Sequence, residues 1–425
     1  GLGARSTAQH RDSTGTPPPL INVYGYNGLF DLNSCSNLTF SNLSIRFHPD
    51  PSTDWTEHSK STTPTVNAFM NSRSFHMQQL WDYYTALPAQ HGREKGGFYT
   101  ASGSKAYQEN ILIERVSVSG PHHCFFWHGP TDGNYSGFTV TDTEVPFDNL
   151  TIRDCENIEG YQGFVILAPA NSLANLGTLA DFAEAEPHYW RNINITNCTS
   201  INAENFELTT GTRQGLDTQI NMDGIYLGAC KEVVVRDCTL SNHVKGVTFG
   251  FGNGLHSCTG TIENNKIFNV NSDGITAFSS ADASAISIRG NEIRGYGMRW
   301  LTPVPDGSGR VRNMYGSDGH VRRNNRFAAI RISGNEIIVD GNFIYHIETT
   351  TGTNITGTAR YEQGILLDQK RINHSYFYGI KITNNTLKTS MYGVRFLTAE
   401  SGVYNGLTVT GNTHTIGSVS TSGIG

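Results

Sequence analysis

Three charged residues recur at the same place, directly before short apolar strands. Asp223 precedes GIYLG, Lys245 precedes GVTFG and Asp273 precedes GITAF. Two carboxylates with a cation between them are groups that can move protons at a substrate bond. The pattern predicts a column of reactive side chains, provided that the chain stacks these strands one above another.

The alignment of strands extends well beyond these three. The aligned strands are GFVIL (163–167), NFELT (205–209), GIYLG (224–228), GVTFG (246–250), GITAF (274–278), GILLD (364–368) and GVRFL (393–397). They place Gln162, Glu204, Asp223, Lys245, Asp273, Gln363 and Tyr392 in one column, and Glu207, Tyr226, Thr248, Thr276 and Arg395 in a neighbouring column. Because side chains alternate along a strand and the residues between are mostly apolar, we expect both columns to face outward.

A repeated turn pattern, apolar-x-x-(Asn/Cys)-x-apolar, supplies the stacking that these columns require. Its anchor residues are Asn42, Cys155, Cys198, Cys238, Asn265, Asn291, Asn335, Asn385 and Asn412. Repetition of this kind marks a solenoid of strand-rich coils in which each coil pairs with the next. We therefore predict an all-β fold, a single parallel β-helix, with the Cys and Asn anchors in one inward column.

The composition agrees with this fold and gives the domain organisation. The 425 residues include 46 Gly and 14 Pro, 37% are hydrophobic, and the repeat leaves no room for long helices. We expect residues 1–20 to be an N-terminal extension or trimmed linker and residues 21–425 to form the β-helix. Loop insertions are predicted at about 51–109, 168–190 and 297–327.

Several classes of partner are excluded by charge and motif content. A net charge of -6 with scattered Lys and Arg provides no basic surface for nucleic acid. No apolar run approaches the ~20 residues that span a bilayer, so membrane insertion is not expected. No cofactor is expected, because the chain has no nucleotide fingerprint. No metal site is expected either, because neighbouring His residues of GPHHCFFWHG face opposite sides of a strand.

One segment and the repeats resemble a known group of folds. The segment from Asn221 to Ile225, NMDGI, is similar to the Asn-Thr-Asp-Gly segment of polygalacturonases, and the repeats over residues 30–420 resemble the right-handed pectate-lyase-like β-helix superfamily, which includes bacteriophage tailspikes. The resemblance implies a right-handed coil and a catalytic role for Asp223. The later polygalacturonase motifs, Gly-Asp-Asp and Gly-His-Gly, are replaced here by HVKG and NSDG, so the other catalytic residues do not carry over.

The candidate catalytic residues are Asp223, Glu207, Asp273 and Glu204. With ~4.8 Å between coils, Asp223 and Asp273 would lie about 10 Å apart, close to the roughly 6.5–9.5 Å between the acid and base of inverting glycosidases. Glu204 and Glu207 are expected on the adjoining coil, with Asp217 in the following loop. The same column could instead be an exposed ladder of salt bridges, and Asp-Gly-Ile also begins many β-helix strands.

Candidate substrate-binding residues come from the columns and the insertions. They are Lys245, Tyr226, Trp81, Trp300, Arg322, Arg323 and His123. Aromatic rings stack on sugars, and Arg binds carboxylates through two hydrogen bonds. Two alternatives stay open: LWDYYTAL could be a short helix packed on the coil, and the Arg-rich segment could be a solvated loop.

The sequence thus favours an enzyme that cleaves a bacterial surface polysaccharide by hydrolysis with paired carboxylates. Capsular or lipopolysaccharide-type glycans are the expected partners, and the protein is expected outside the cell or on a virion surface. The likeness to tailspikes leaves a homotrimer open. The alternatives are a lyase that acts on a uronic-acid-containing glycan and a non-catalytic carbohydrate-binding adhesin.

Overall fold

The architecture is described by a computed structural model. It describes residues 19–24, 28–32, 35–48, 73–78, 108–119, 123–128, 147–158, 162–168, 189–201, 223–250, 257–270, 272–279, 285–296, 327–346, 363–368, 376–389, 392–397 and 403–416. These residues form 32 β-strands, which are numbered in chain order. No helix in the described segments is long and apolar enough to cross a membrane.

Twenty of the strands form one large sheet, called the twenty-stranded sheet. They are β1 Leu20–Tyr24, β3 Leu38–His48, β5 Gln108–Ser119, β7 Phe147–Arg153, β8 Glu156–Ile158, β10 Trp190–Thr196, β11 Thr199–Ile201, β13 Cys230–Lys231, β14 Val233–Arg236, β15 Thr239–Ser241, β17 Gly260–Glu263, β18 Lys266–Phe268, β20 Ile286–Arg289, β21 Glu292–Arg294, β23 Ile337–Asp340, β24 Phe343–Tyr345, β27 Lys381–Thr383, β28 Thr386–Thr389, β31 Thr408–Thr410 and β32 Thr413–Ile416.

A second sheet, called the ten-stranded sheet, carries the aligned strands. It consists, in spatial order, of β2 Gly28–Asp31, β4 Arg73–Gln78, β6 His123–His128, β9 Gln162–Leu167, β12 Asp223–Gly228, β16 Lys245–Phe249, β19 Ile275–Phe278, β22 Ala328–Ser333, β25 Gln363–Asp368 and β29 Tyr392–Leu397. Two further strands, β26 Tyr376–Tyr378 and β30 Val403–Asn405, pair with each other.

Every pairing between described strands is parallel, and each strand pairs with its equivalent in the neighbouring coil. Parallel strands need crossover connections, and here each coil supplies the crossover for the next. The predicted parallel β-helix is therefore confirmed, with the right hand that parallel crossovers adopt. Strand β4 lies inside the predicted 51–109 insertion, where it pairs with β2 and β6.

Apolar side chains fill the interior of the coils. Ile, Val, Leu and Phe from both sheets form one continuous core, in which Phe125 and Phe164 stack with ring centroids 4.8 Å apart. Burial of this apolar surface is the main favourable term in folding such a solenoid. Strands of both sheets contribute side chains to this core, because each coil passes from one sheet to the other.

The predicted anchor column lies at one of these turns and faces inward. Cys155, Cys198, Cys238, Asn265 and Asn291 are all buried, and the three thiols are free. The backbone NH of Cys238 donates to Oδ1 of Asn265 at 2.9 Å, which joins the Cys part of the column to the Asn part. The prediction of one inward column is therefore confirmed for these five residues.

The Asn side chains of the column form a hydrogen-bonded ladder. The Nδ2 group of Asn291 donates to Oδ1 of Asn342 at 2.9 Å, and its Oδ1 accepts from the backbone NH and Nδ2 of Asn265. The ladder continues from Asn342 through Asn385 to Asn412. Each side chain thus satisfies buried polar groups of two coils, as a buried turn requires.

Two of the predicted anchor residues, Asn335 and Asn42, do not occupy the ladder position. Asn342 occupies the ladder position that was predicted for Asn335, whose Oδ1 instead accepts from the backbone NH of Tyr378. Asn42 lies one residue before the ladder position, which Leu43 fills. At Asn42 the backbone has φ = 55°, a left-handed conformation that Asn tolerates better than most residues.

The ladder generates a prediction about stability. Asn291→Ala would leave the Asn265 NH and the Ile262 carbonyl without their side-chain partner in a buried turn. At about 1–3 kcal/mol for each of these two buried groups, we expect a loss of about 2–6 kcal/mol in the free energy of unfolding. Urea denaturation followed by circular dichroism measures this loss.

Asn412→Ala is the matched control, because Asn412 ends the described ladder and is partly exposed. Water can replace its hydrogen bonds, so we expect a clearly smaller loss than for Asn291→Ala. Equal losses for the two variants would show that the ladder does not stabilise the fold through its buried groups.

Candidate functional site

The charged residues at the strand starts stack in the predicted order. Asp223 pairs directly with Lys245, and the pairing of Val247 with Ile275 places Asp273 next in the column. Farther along, Gln363 pairs with Ala328 on one side and Tyr392 on the other. Lys245 therefore lies between the two aspartates, and the predicted register is confirmed for Asp223, Lys245, Asp273, Gln363 and Tyr392.

Glycines that follow these residues explain why the column faces outward. A Cβ at Gly224 would lie 3.2 Å from the buried side chain of Leu240 and 2.9 Å from the carbonyl oxygen of Gly246. The Cβ direction of Gly224 is thus inward, as is the side chain of the core residue Ile225. Two successive inward positions interrupt the alternation, so both Asp223 and Tyr226 lie on the outer face.

The outer face is nevertheless largely shielded from solvent at these positions. Asp223 is 1% exposed, Asp273 is 4% exposed and Arg331 is 7% exposed, whereas Lys245 is half-buried. An exposed ladder of salt bridges, one alternative from the sequence, does not fit this burial. Burial makes each charge expensive unless a partner compensates it.

The two carboxyl oxygens of Asp223 differ in their hydrogen bonding. Its Oδ2 accepts a 2.5 Å hydrogen bond from Oγ1 of Thr248, while its buried Oδ1 accepts none from the residues that the structure describes. Burial raises the pKa of Asp223 from 3.8 to about 6; Lys245 and Thr248 lower it and Asp273 raises it further. A carboxyl with this pKa can carry a proton close to neutral pH.

Asp273 lies two coils away, and its pKa is shifted in the opposite direction. Its Oδ1 accepts from the backbone NH of Ala328 at 2.8 Å and from Nη2 of Arg331 at 3.2 Å, and its Oδ2 accepts from Nε of Arg331 at 2.8 Å. Burial would raise the pKa of Asp273, but the charge and hydrogen bonds of Arg331, the Ala328 amide and Lys245 together lower it. Asp273 is therefore an ionised carboxylate at neutral pH.

Arg331 connects Asp273 to a third carboxylate. Its Nη1 donates to Oδ2 of Asp368 at 2.7 Å, from the next strand of the ten-stranded sheet. Burial disfavours the charged guanidinium, yet Asp273 and Asp368 raise the pKa of Arg331. Two carboxylates and one guanidinium form a compact, charged network beside Asp223.

Tyr226 lies on the outer face beside this network. Its ring packs with Val165 and Leu167 in a small apolar cluster, and the residue is 3% exposed. Burial raises the pKa of its hydroxyl well above the ordinary value, so it remains protonated. Its predicted role in substrate binding stays a prediction.

A buried histidine lies on the interior side of the same coils. The Nε2 atom of His243 is 2.9 Å from Oγ of Ser200 and 3.1 Å from the Ser200 carbonyl oxygen, and Oγ of Ser200 accepts from Asn157. Burial lowers the pKa of His243 to about 4, although the Ser200 carbonyl opposes this shift. His243 is therefore a neutral interior residue and does not belong to the outer face.

Several predicted site residues lie outside the described residues. These are Glu204, Glu207, Asp217, Trp81, Trp300, Arg322 and Arg323. His123 begins β6, where it pairs with Gln162 and so belongs to the column of strand starts.

Glu204 and Glu207 are predicted to lie on the coil adjoining Asp223, where the structure shows β12 paired directly with β9. Their placement on the coil stays a prediction. Their roles in catalysis stay predictions.

Arg331 and Asp368 were missed by the sequence reasoning. The strand AAIRIS (328–333) begins with Ala-Ala where its neighbours have Gly, so it escaped the alignment. A single Arg within a run of buried apolar residues was the signal that could have revealed it. Metal binding finds no support in this region, since the described residues contain no group of three or more His, Cys, Asp or Glu placed to hold a metal ion.

Comparisons with known proteins give similarity of fold alone. No protein-family model and no curated protein matches the chain. The A-module of the mannuronan C-5 epimerase AlgE6 from Azotobacter vinelandii is 11% identical over 94% of this chain and 80% of that module, with a TM-score of 0.34. A double mutant of the tailspike protein of E. coli bacteriophage HK620 is 11% identical over 96% of this chain and 66% of that protein, with a TM-score of 0.38.

A family 28 exopolygalacturonase from Yersinia enterocolitica is 9% identical over 96% of this chain and 65% of that enzyme, with a TM-score of 0.29. The chain thus spans about two thirds of the length of the tailspike and of the exopolygalacturonase. At these identities and TM-scores, the likenesses carry no information about the chemistry of this chain.

The burial of Asp223 predicts an unusual dependence of stability on pH. Because its folded pKa of about 6 lies above the ordinary value of 3.8, the folded state holds the proton more tightly, and stability falls as the pH rises between these two values. Asp223→Asn carries no such charge. We expect the free energy of unfolding of the variant, relative to the parent, to increase by about 3 kcal/mol from pH 3.5 to pH 7.

Asp340→Asn is the control of opposite sign. The hydrogen bond from Thr383 lowers the pKa of Asp340, so its contribution to stability is present at neutral pH and is lost in acid. Relative to the parent, that variant should be less stable at pH 7, with a smaller difference at low pH. Urea denaturation from pH 3.5 to pH 8 tests both signs. A stability difference between Asp223→Asn and the parent that does not change with pH would show that folding does not raise the pKa of Asp223.

Proposed function

We propose that the protein is a polysaccharide hydrolase in which Asp223 is the general acid. The observation that carries this proposal is the asymmetry between Asp223 and Asp273 on one outer face. Asp223 can hold a proton near neutral pH, while Asp273 is ionised. Two carboxyl groups whose surroundings push their pKa values apart are the arrangement that glycoside hydrolysis uses.

The spacing of the two groups supports an inverting reaction. They lie two coils apart, which at ~4.8 Å per coil gives about 10 Å between their backbones. Carboxyl groups separated by roughly 6.5–9.5 Å leave room for a water molecule beside the sugar ring. Asp223 would donate its proton to the oxygen of the leaving sugar, and Asp273 would take a proton from the attacking water.

Lys245 has a supporting role between them. Its charge lowers the pKa of both aspartates, so it favours their ionised forms. It is half-buried, whereas the aspartates are buried, and so it lies nearer to solvent. We infer that Lys245 contacts the hydroxyl or carboxylate groups of the bound glycan.

The burial of both aspartates favours a second candidate function. A buried charged network could serve the fold alone, and the protein would then be a non-catalytic, carbohydrate-binding adhesin. An extracellular or virion-surface location and a homotrimer remain predictions under either function. The two functions differ in whether a glycan is cut.

The experiment is a screen of the purified protein against capsular, lipopolysaccharide and plant glycans, with mass analysis of the products. Hydrolysis adds one water to each pair of products, and we expect that mass. Products lighter by one water would assign elimination and make the protein a lyase. Binding without cleavage of any glycan would support the adhesin.

Asp223→Asn tests the role of the acid directly. The variant keeps the size of the side chain but cannot supply the proton, so we expect turnover to fall by ~100-fold or more. The parent should lose activity as the pH rises through about 6, because the acid form of Asp223 disappears there. Asp340→Asn, which changes a carboxylate on the other sheet, should keep the parent rate. A parent-like rate for Asp223→Asn would rule out Asp223 as the acid.

A further inference from the structure

Arg331 is bound on two sides within the outer face. Its position in β22 is opposite Thr276 of β19 on one side and Leu366 of β25 on the other. Its side chain is 9% exposed, and those of Asp273 and Asp368 are 6% and 8% exposed. A buried Arg between two buried carboxylates is held far more firmly than a surface ion pair.

The contact between Arg331 and Asp273 has two points. Nε meets Oδ2 at 2.8 Å and Nη2 meets Oδ1 at 3.2 Å, so the planar guanidinium fixes the plane of the carboxylate. The Ala328 amide, which donates to Oδ1, adds a third point. A Lys ammonium is a single charged point and could not set this orientation.

We propose that Arg331 is a positioning residue of the site, which holds the Asp273 carboxylate in one orientation on the outer face and is itself held by Asp368. The inference rests on the proposed function, because it assigns Asp273 a part in the reaction. Arg331 has no need to touch the substrate in this role. A misplacement of about 1 Å in a reacting group can cost about 100-fold in rate, which is why the orientation matters.

The charges around Asp273 come from four strands. Lys245 of β16 and Arg331 of β22 act on it directly, Asp368 of β25 lies beyond Arg331, and Asp223 of β12 lies beyond Lys245. Without Arg331, Asp273 would face two carboxyl groups and a single ammonium. Its affinity for a proton would rise, and it would compete with Asp223 for the proton that the reaction needs.

The test uses Arg331→Met, Arg331→Lys and Asp368→Asn. Met fills the buried space without charge, Lys restores the charge without the two-point contact, and Asn weakens the second anchor. The control is Ile344→Ala, which removes buried atoms from β24 in the other sheet and lowers stability without touching the outer face. Each variant is measured for kcat, for KM and for the titration of the Asp273 carboxyl carbon by NMR in selectively labelled protein.

We expect Arg331→Met to lower kcat about 10-fold or more with KM changed by less than about twofold, and to raise the titration midpoint of Asp273. Arg331→Lys should bring the midpoint back without restoring kcat, and Asp368→Asn should lower kcat by a smaller factor. A parent-like kcat in Arg331→Met would overturn the proposal, and so would an unchanged Asp273 midpoint or an equal loss of kcat in Ile344→Ala.

The two proposals fail in different ways. If no glycan is cut, the proposed hydrolase function fails, and the titration of Asp273 still decides whether Arg331 controls its protonation. If Asp223→Asn abolishes turnover while Arg331→Met does not change it, the hydrolase function stands and the positioning role is wrong. If Arg331→Met does not fold, Arg331→Lys and Asp368→Asn still test the positioning role. Arg331→Lys keeps the buried positive charge, and Asp368→Asn keeps the contact between Arg331 and Asp273.

Discussion

The hydrogen bonding of each coil to the next is the interaction on which the whole structure depends. Backbone groups in the strands pair with the neighbouring coil, but at the turns the chain bends away and would leave buried NH and carbonyl groups without partners. The Asn ladder from Asn265 to Asn412 supplies these partners, each amide serving two coils. The residue before each rung has a left-handed backbone, as at Asn264 and Asn384. Turn geometry therefore keeps the coils in register.

Register in turn decides which side chains can interact on the outer face. Stacked coils bring equivalent positions to about 5 Å, so like charges in adjacent coils would repel strongly in a buried environment. The order Asp223, Lys245, Asp273 avoids this repulsion, and Arg331 does the same for Asp273 and Asp368. Glycines such as Gly246, whose Cβ would lie 2.6 Å from the next carbonyl oxygen, allow the strands to carry these charges outward.

The fold was predictable from the sequence, because stacking repeats the same residue types at the same positions. The inward Cys and Asn residues and the column of strand starts could be read in this way. The sequence does not distinguish Asn335 from Asn342, because Gly-Asn occurs twice within a few residues and local sequence gives both the same pattern. An apolar strand pattern also does not reveal which strands are neighbours, such as β9 and β12, which pair directly. Arg331 was missed because its coil lacks the glycine that marks the others.

Burial was the other property that the sequence could not reveal, and it changes the meaning of the charged column. In water, Asp223 and Asp273 would be equivalent carboxylates of the same residue type. Removed from water, they differ through their neighbours: each has a threonine hydroxyl donor and Lys245 on the adjacent strand, but only Asp273 also has an amide and two guanidinium nitrogens. Burial without enough donors or cations raises the pKa of a carboxyl, whereas hydrogen bonds and a paired cation lower it. The difference between a carboxyl whose pKa is raised and one whose pKa is lowered thus arises from Arg331, which lies one coil beyond Asp273 along the stack.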